Sequence, residues 1–307
     1  MGDLEREVWV HALHRAARFS GAEVVTYCVL ENHAHILVRI DPRARECDDA
    51  ELVRRFEALY GTSRAGWCQL DAPGLAHALA QGETEEAVRL RSRLRARMGD
   101  VSEFMRTLRQ RYTKWYNRTH ETVGTLWAER FRSVLVEDKP WLVGLVAAYI
   151  DLNPVRAGLA DLPEDYRWSG YTEALAGNAD LQRSLAWCCR GEGGIGGALA
   201  RYRLRMLGKG AAAKRDGTGC RVDRDALLAA HRQGGELKEH ELLQLKARFF
   251  SHGVALGTLD WLRSGEGGRA LARLPRPPGP APMEAVEAAD LCVARRKYRT
   301  GGLELPG

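Results

Sequence analysis

Residues 24–40, VVTYCVLENHAHILVRI, constrain this chain more than any other stretch. Two apolar runs, 24–30 and 34–40, flank the polar pair Glu31-Asn32. Their β-branched and aromatic content predicts two strands joined by a tight turn. Side chains two apart on a strand share a face, so His33, His35, Leu37 and Arg39 are expected on one side. Ala34, Ile36, Val38 and Ile40 then take the other. Two imidazoles at the start of a strand have a rigid mount and can share one cation. Spacing alone does not demand that use, because nine histidines in 307 residues allow a His-x-His pair by chance.

The mass of 34.2 kDa allows one large domain or two modest ones with a real core. A net charge of +6 and a pI near 9.0 suit a polyanionic partner. Seven cysteines, with no Cys-x-x-Cys spacing and with Cys188 and Cys189 adjacent, fit a reducing compartment better than a disulfide framework. No apolar run approaches a membrane span, and the acidic start Met1-Gly2-Asp3-Leu4-Glu5 is no secretion signal, so a cytoplasmic chain without membrane contact is expected. The phosphate-loop pattern of nucleotide-binding enzymes is missing too, so no nucleotide cofactor is expected.

A helix is predicted over residues 3–19, with Leu4, Val8, Leu13 and Ala16 near one face and Gly21 closing it. His11 and His14 on it read as ordinary surface or boundary residues. A second helix, capped by Asp48 or Asp49, carries Leu52, Val53, Phe56 and Leu59 and ends at Gly61. Residues 62–82 read as loop with a short helix. The helix over 83–98 spreads Arg89, Arg91, Arg93, Arg95 and Arg97 around its surface, which suits solvent and phosphate equally. A third helix, 101–119 with Ser102 as cap, sets Phe104, Leu108, Tyr112, Trp115 and Tyr116 near a common side. Its five cations, Arg106, Arg109, Arg111, Lys114 and Arg118, oppose the single carboxylate of Glu103. Aromatics interleaved with arginine suit single-stranded nucleic acid, whose bases stack while its phosphates are neutralised. An amphipathic core helix with a basic outer face has the same pattern.

Asn32-His33-Ala34-His35-Ile36-Leu37-Val38 resembles the histidine-hydrophobic-histidine motif of the HUH single-tyrosine transposases, and of their REP-associated branch in particular. Further stretches carry the likeness in order. Thr113-Lys114-Trp115-Tyr116-Asn117, following Tyr112, resembles the nucleophile helix, and Gly124-Thr125-Leu126-Trp127-Ala128-Glu129-Arg130-Phe131 resembles a Gly-x-Leu-Trp-x-x-Arg-Phe signature that leads into a strand over 134–137. Pro140 opens the next helix. Residues 149–159, YIDLNPVRAGL, and 165–171, DYRWSGY, resemble later signatures, so the likeness spans residues 20–175.

The resemblance implies an α+β fold, a ferredoxin-like antiparallel sheet with packed helices. It implies a divalent metal, Mg²⁺ or Mn²⁺, on His33 and His35, with Asn117 the candidate third ligand. Tyr112, or alternatively Tyr116, would attack the phosphate and form a 5′-phosphotyrosine. Arg109, Lys114, Arg118, Arg130 and Arg132 are the candidate DNA contacts. The partner implied is single-stranded or hairpin DNA, bound by a homodimer. Relatives begin with a central strand ahead of the first helix, which this chain lacks. An upstream start, a strand from elsewhere, or a decayed inactive copy are the expectations that follow, since unpaired buried strand edges are costly.

Beyond residue 176 a Gly- and Pro-interrupted extension is expected, in a two-domain division of 1–175 and 176–307. Helices are expected over 223–231 and 237–249, and residues 250–262 suggest a helix-turn-helix-like pair with a DNA-reading use. Two functions stay open: a metal-dependent DNA nickase and strand transferase, and a non-catalytic nucleic-acid-binding protein that keeps the basic aromatic surface. A metallohydrolase is more distant, because no carboxylate accompanies the histidine pair in a metal-binding pattern.

Overall fold

The computed structural model describes residues 1–189, 192–207, 253–263, 265–272, 280–282 and 291–294. The fold is α+β, mostly helical, and its chain divides into two compact units interleaved in sequence: 1–131 with 164–184, and 132–163 with 185–307. The composition change expected at residue 176 follows the last residue of a helix inside the first unit.

In the first unit α1 (Asp3–Ser20) leads into the hairpin β1 (Ala22–Val29) and β2 (Ala34–Ile40). Gly21 stops the helix at φ 69°, a left-handed conformation that costs glycine little. Trp9, Leu13, Ala16, Ala17 and Phe19 form the buried side of α1, whereas Leu4, expected with them, is 59% exposed.

The hairpin forms as its pattern predicts. Leu30 N–H donates to His33 O at 2.9 Å across the Glu31-Asn32 turn, and the register sets Val29 opposite Ala34 and Cys28 opposite His35. One irregularity follows: Val24 pairs with Val38 and Thr26 with Leu37, so Val25 is the extra residue of a bulge. β1 is buried from Val24 onward, but on β2 only Leu37 is.

The burial of β1 is explained by the segment 165–171, which closes its outer edge. Val29 N–H donates to Trp168 O at 3.0 Å, Cys28 bridges to Ser169, and Tyr166 Oη donates to Val29 O at 2.6 Å. From α1, Arg6 lies over the Trp168 ring at 4.1 Å and donates to Tyr166 Oη at 3.3 Å. Ser169 then caps α8 (Gly170–Leu175). Gly170 has no room for a side chain, since a Cβ there would sit 2.3 Å from Thr26 Oγ1, 2.8 Å from Thr26 Cα and 2.9 Å from Tyr27 N. Among the described residues no strand pairs with the far edge of β2.

A helical layer completes the unit. α2 (Asp49–Tyr60), α3 (Ala72–Ala80) and α4 (Glu85–Arg95) bury Leu52, Phe56, Leu59, Leu75, Leu79, Leu90 and Leu94 around Phe19. Asp48 is the cap of α2, its carboxylate accepting Glu51 N–H at 2.7 Å. The arginines of α4 tie this layer together: Arg91 pairs with Asp49 at 2.8 Å and donates to Leu79 O, and Arg95 donates to Cys47 O. α5 (Val101–Thr119) has the predicted span, but its cap is Asp100, which accepts Glu103 N–H at 2.9 Å, and not Ser102.

The second unit contains the expected strand as β3 (Leu135–Val136) and the Pro-opened helix as α6 (Pro140–Asp151), followed by α7 (Asn153–Arg156). After α8 come α9 (Ala179–Cys188), whose residues 179–184 belong to the first unit, and α10 (Gly194–Leu207). β3 runs parallel to β4 (Ala255–Thr258) in a sheet completed by β5 (Pro280–Pro282) and β6 (Leu291–Ala294), in the order β3-β4-β6-β5. The helix-turn-helix expectation for 250–262 is corrected here. Ala255 and Leu256 are buried in a ladder between β3 and β6, and only then do α11 (Leu259–Arg263) and α12 (Glu266–Ala272) follow. The helices expected over 223–231 and 237–249 lie outside the described residues. Among the described residues no helix is long and apolar enough to cross a membrane.

Replacing Gly170 by Ala should lower unfolding free energy by about 1–3 kcal/mol, because the new methyl group meets backbone on the neighbouring strand. Urea denaturation of the variant checks this, and an unchanged midpoint would mean that the segment does not lie against β1 as described.

Candidate active site

The register that pairs Cys28 with His35 leaves His33 in the turn, just ahead of β2. The two imidazoles stand together as expected, ring centroids 5.0 Å apart and nearly perpendicular at 87°. His33 is exposed, His35 partly so. Asn32 Oδ1 lies 2.7 Å from His33 Nδ1, which in the tautomer donating there leaves Nε2 as a free lone pair. Partial desolvation holds His33 below the ordinary imidazole value, favouring the neutral form that binds metals. Among the described residues no group of three or more His, Cys, Asp or Glu is placed to hold a metal ion, and the histidine pair offers two ring nitrogens. That set fits an open site in which substrate oxygens and water supply the remaining ligands, and imidazole suits Mn²⁺ better than Mg²⁺.

Met1, ahead of α1, reaches this hairpin turn, and the first turn of α1 reaches the end of α5. Met1 N donates to Glu31 O at 2.6 Å, while Glu5 pairs with His120 at 3.1 Å. His120 in turn stacks on Tyr116, centroids 4.1 Å apart. Backbone hydrogen bonding at the helix start, aided by His120, holds the Glu5 carboxyl below the usual range. Tyr116 is thus a partly exposed phenol at the end of the unit where the histidine turn lies.

Tyr112 is placed differently. It is 2% exposed, ringed by Trp115, Tyr116 and Trp127 with centroids 5.6, 6.2 and 6.0 Å away. Its hydroxyl has no hydrogen-bond partner among the described residues, and burial pushes its pKa well above the phenol's ordinary value. Trp127 is what covers it. Nε1 of Trp127 donates to Thr113 Oγ1 at 2.9 Å, and Arg109 lies 4.6 Å over the same indole while donating to Glu129 O. A nucleophile has to lose its proton and reach phosphorus, and both needs oppose Tyr112 as it stands.

Asn117 has its amide committed within its own loop: Nδ2 donates to Gly124 O and Oδ1 accepts from Thr122 Oγ1, each at 3.0 Å. It builds the turn after α5 in this state. Lys114 and Arg118 are exposed on α5, and Arg130 lies 5.9 Å from the Phe131 ring centroid. Arg132 is the first residue of the second unit.

Two groups were missed in the sequence. His120, one turn beyond Tyr116, was visible at helical spacing. His14 was read as ordinary, yet its Nε2 lies 2.8 Å from Glu173 Oε2, which also accepts from Tyr27 Oη at 2.5 Å while Asn178 donates to Oε1. Such a network joins residues some 159 apart in the chain and leaves no local signal. Comparisons with protein-family models, with curated proteins and with solved structures returned no match.

Tyr112→Phe should be neutral or stabilising, by up to about 1 kcal/mol, because it deletes a buried hydroxyl that has no partner. A urea midpoint falling by more than that equivalent would show that the hydroxyl has a partner in solution.

Proposed function

We propose that this chain is a metal-dependent DNA strand transferase of the HUH single-tyrosine kind, in the REP-associated branch, nicking and rejoining single-stranded DNA. The observation carrying this reading is the pair of imidazoles at the turn of a hairpin, which Met1 and the first turn of α1 link to a basic helix with a partly exposed tyrosine in its last turn. The ferredoxin-like sheet belongs to the same reading, with β1 and β2 as two of its strands, as does a homodimer on single-stranded or hairpin DNA.

His33 and His35 would hold the divalent ion, which when bound supplies Lewis-acid polarisation of the scissile phosphate. The tyrosine oxygen attacks phosphorus, the bond to the 3′ oxygen breaks, and the departing oxygen takes a proton to become a 3′ hydroxyl. The phosphotyrosine keeps the bond energy, so the reverse attack by a 3′ hydroxyl rejoins DNA without a nucleotide. On α5 accessibility favours Tyr116 over Tyr112 as the nucleophile, and His120, stacked on Tyr116 and paired with Glu5, positions its ring. Arg109, Lys114, Arg118, Arg130 and Arg132 would neutralise phosphates.

The burial of Tyr112 equally favours a second reading, a nucleic-acid-binding protein without chemistry. A third tyrosine enters the test because of its neighbour. Tyr149 stands one helical turn before Asn153, whose side-chain amide nitrogen donates to Tyr149 O at 3.0 Å and to Ile150 O at 3.2 Å.

Covalent trapping on single-stranded oligonucleotides with Mn²⁺ separates the readings. The wild-type chain should form a denaturation-resistant adduct, lost by at least about 100-fold with chelator or in His33→Ala and His35→Ala. Tyr116→Phe should abolish it, with Tyr112→Phe and Tyr149→Phe keeping it. Loss in Tyr149→Phe alone would overturn the assignment to α5, and DNA binding without any adduct would leave the non-catalytic reading. Adduct yield should fall as pH drops, because protons compete with the metal for imidazole. The depressed pKa of His33 sets that loss lower than for a free imidazole. A flat profile from pH 8 to 5 would count against imidazole ligation.

A further inference from the structure

Three guanidiniums converge on Tyr60, at the carboxyl end of α2, from three separate parts of the first unit. Arg15 of α1 donates to Ala58 O at 2.9 Å and Leu59 O at 2.7 Å. Arg97, in the turn between α4 and α5, donates to Tyr60 Oη and Thr107 Oγ1, both at 3.1 Å, and lies 4.5 Å over the Phe19 ring. Arg111 of α5 lies over the face of Tyr60, 5.2 Å from its centroid. Trp67 Nε1 fixes the phenol by donating to its oxygen at 3.0 Å.

None of the three arginines has a carboxylate partner among the described residues, and Arg111 donates no hydrogen bond there, although all three are partly buried. The chain treats other arginines of the same unit differently. Arg55 and Arg91, similarly covered, are each paired with an acid, Glu51 at 2.6 Å and Asp49 at 2.8 Å. Three like charges gathered without a counter-ion repel one another and lose hydration, which a folded chain normally avoids. Desolvation together with Arg15 and Arg97 holds Arg111 below an ordinary guanidinium, the direction such crowding requires. An anion arriving there would meet the unused fork of Arg111, set for bidentate contact, with Arg15 and Arg97 already held by backbone and hydroxyl oxygens.

We propose that Arg15, Arg97 and Arg111 around Tyr60 form a seat for a phosphodiester group of single-stranded DNA, apart from the histidine pair. This rests on the DNA-processing reading above. Arg111 and Tyr116 are five residues apart on α5 and point to different sides of it, so the seat addresses a phosphate other than the one under attack. It holds the strand in place while the reacting phosphate is exchanged.

Two readouts on the full chain test this. Phosphate should raise the melting temperature of wild type above that in chloride at equal ionic strength, and should leave Arg111→Met, which keeps the aliphatic stem, unmoved. Single-stranded DNA affinity should fall about 5-fold in Arg111→Met, and the slope of log affinity against log salt should shrink by about 0.7, one phosphate contact. Should Arg111→Met fail to fold, Arg111→Lys replaces it, keeping the charge but losing the fork, and its phosphate stabilisation should fall by more than half. Wild type unmoved by phosphate, or shifted equally with either variant, overturns the seat. Phosphate stabilisation with DNA affinity unchanged in the variant overturns DNA as the source. Wild type binding phosphate and no DNA overturns the functional reading while retaining an anion seat.

Discussion

The hydrogen bonds that the segment around Trp168 makes to the end of β1 are the constraint on which the first unit depends. A two-stranded hairpin is marginal in water by itself. Here β1 gains a backbone partner at Val29, a phenol on the Val29 carbonyl, and a glycine so close to Thr26 that no side chain fits between. With that edge closed and α1 packed on it, β1 is buried from Val24 to Val29, and pairing can settle in one register. A slip of one residue would send every side chain of β2 to the other face. The nearness of the two histidine rings is therefore a consequence of contacts made more than 130 residues later in the chain.

Short-range patterns were legible. Alternation at 34–40, the polar turn at Glu31-Asn32, the glycine after α1 and the apolar stripe of α5 all resolve into the elements they suggest, because each depends on neighbours within a few residues. Caps were harder: Asp100 and Ser102 both stand near the start of α5, and only backbone geometry separates them. The stretch 255–258 misled because its pairing partners are Leu135-Val136 and residues 291–294, far away in sequence. Of the candidate site, the nearness of His33 and His35 was suggested by their spacing, although His33 lies in the turn ahead of β2 and not on the strand. The contrast between Tyr112 and Tyr116 could not. One helical turn separates them, and what distinguishes them is Trp127 folding back from a loop to bond Thr113.

Arginine shows how one residue type is put to different uses in one unit. Along α4, a run that suggests a nucleic-acid surface is spent largely on the interior: Arg91 and Arg95 tie helices together through carboxylate and carbonyl oxygens. Along α5, where only Arg106 pairs with an acid, Glu103, and around Tyr60, the other cations lack acid partners among the described residues, and there the charge is available to an outside partner. A count of basic residues cannot make that distinction, whereas the partner of each guanidinium does.

What the account needs most is that His33 and His35 act as a pair of metal ligands, since the chemistry proposed for α5 has no electrophilic assistance without them. Titration of the chain with Mn²⁺ at pH 7.5, followed by the electron paramagnetic resonance of the free ion, reads this without DNA or turnover. The account predicts one ion bound per chain, with affinity falling at least about 10-fold in His35→Ala and in His33→Ala. Equal Mn²⁺ binding by wild type and the double variant would contradict it.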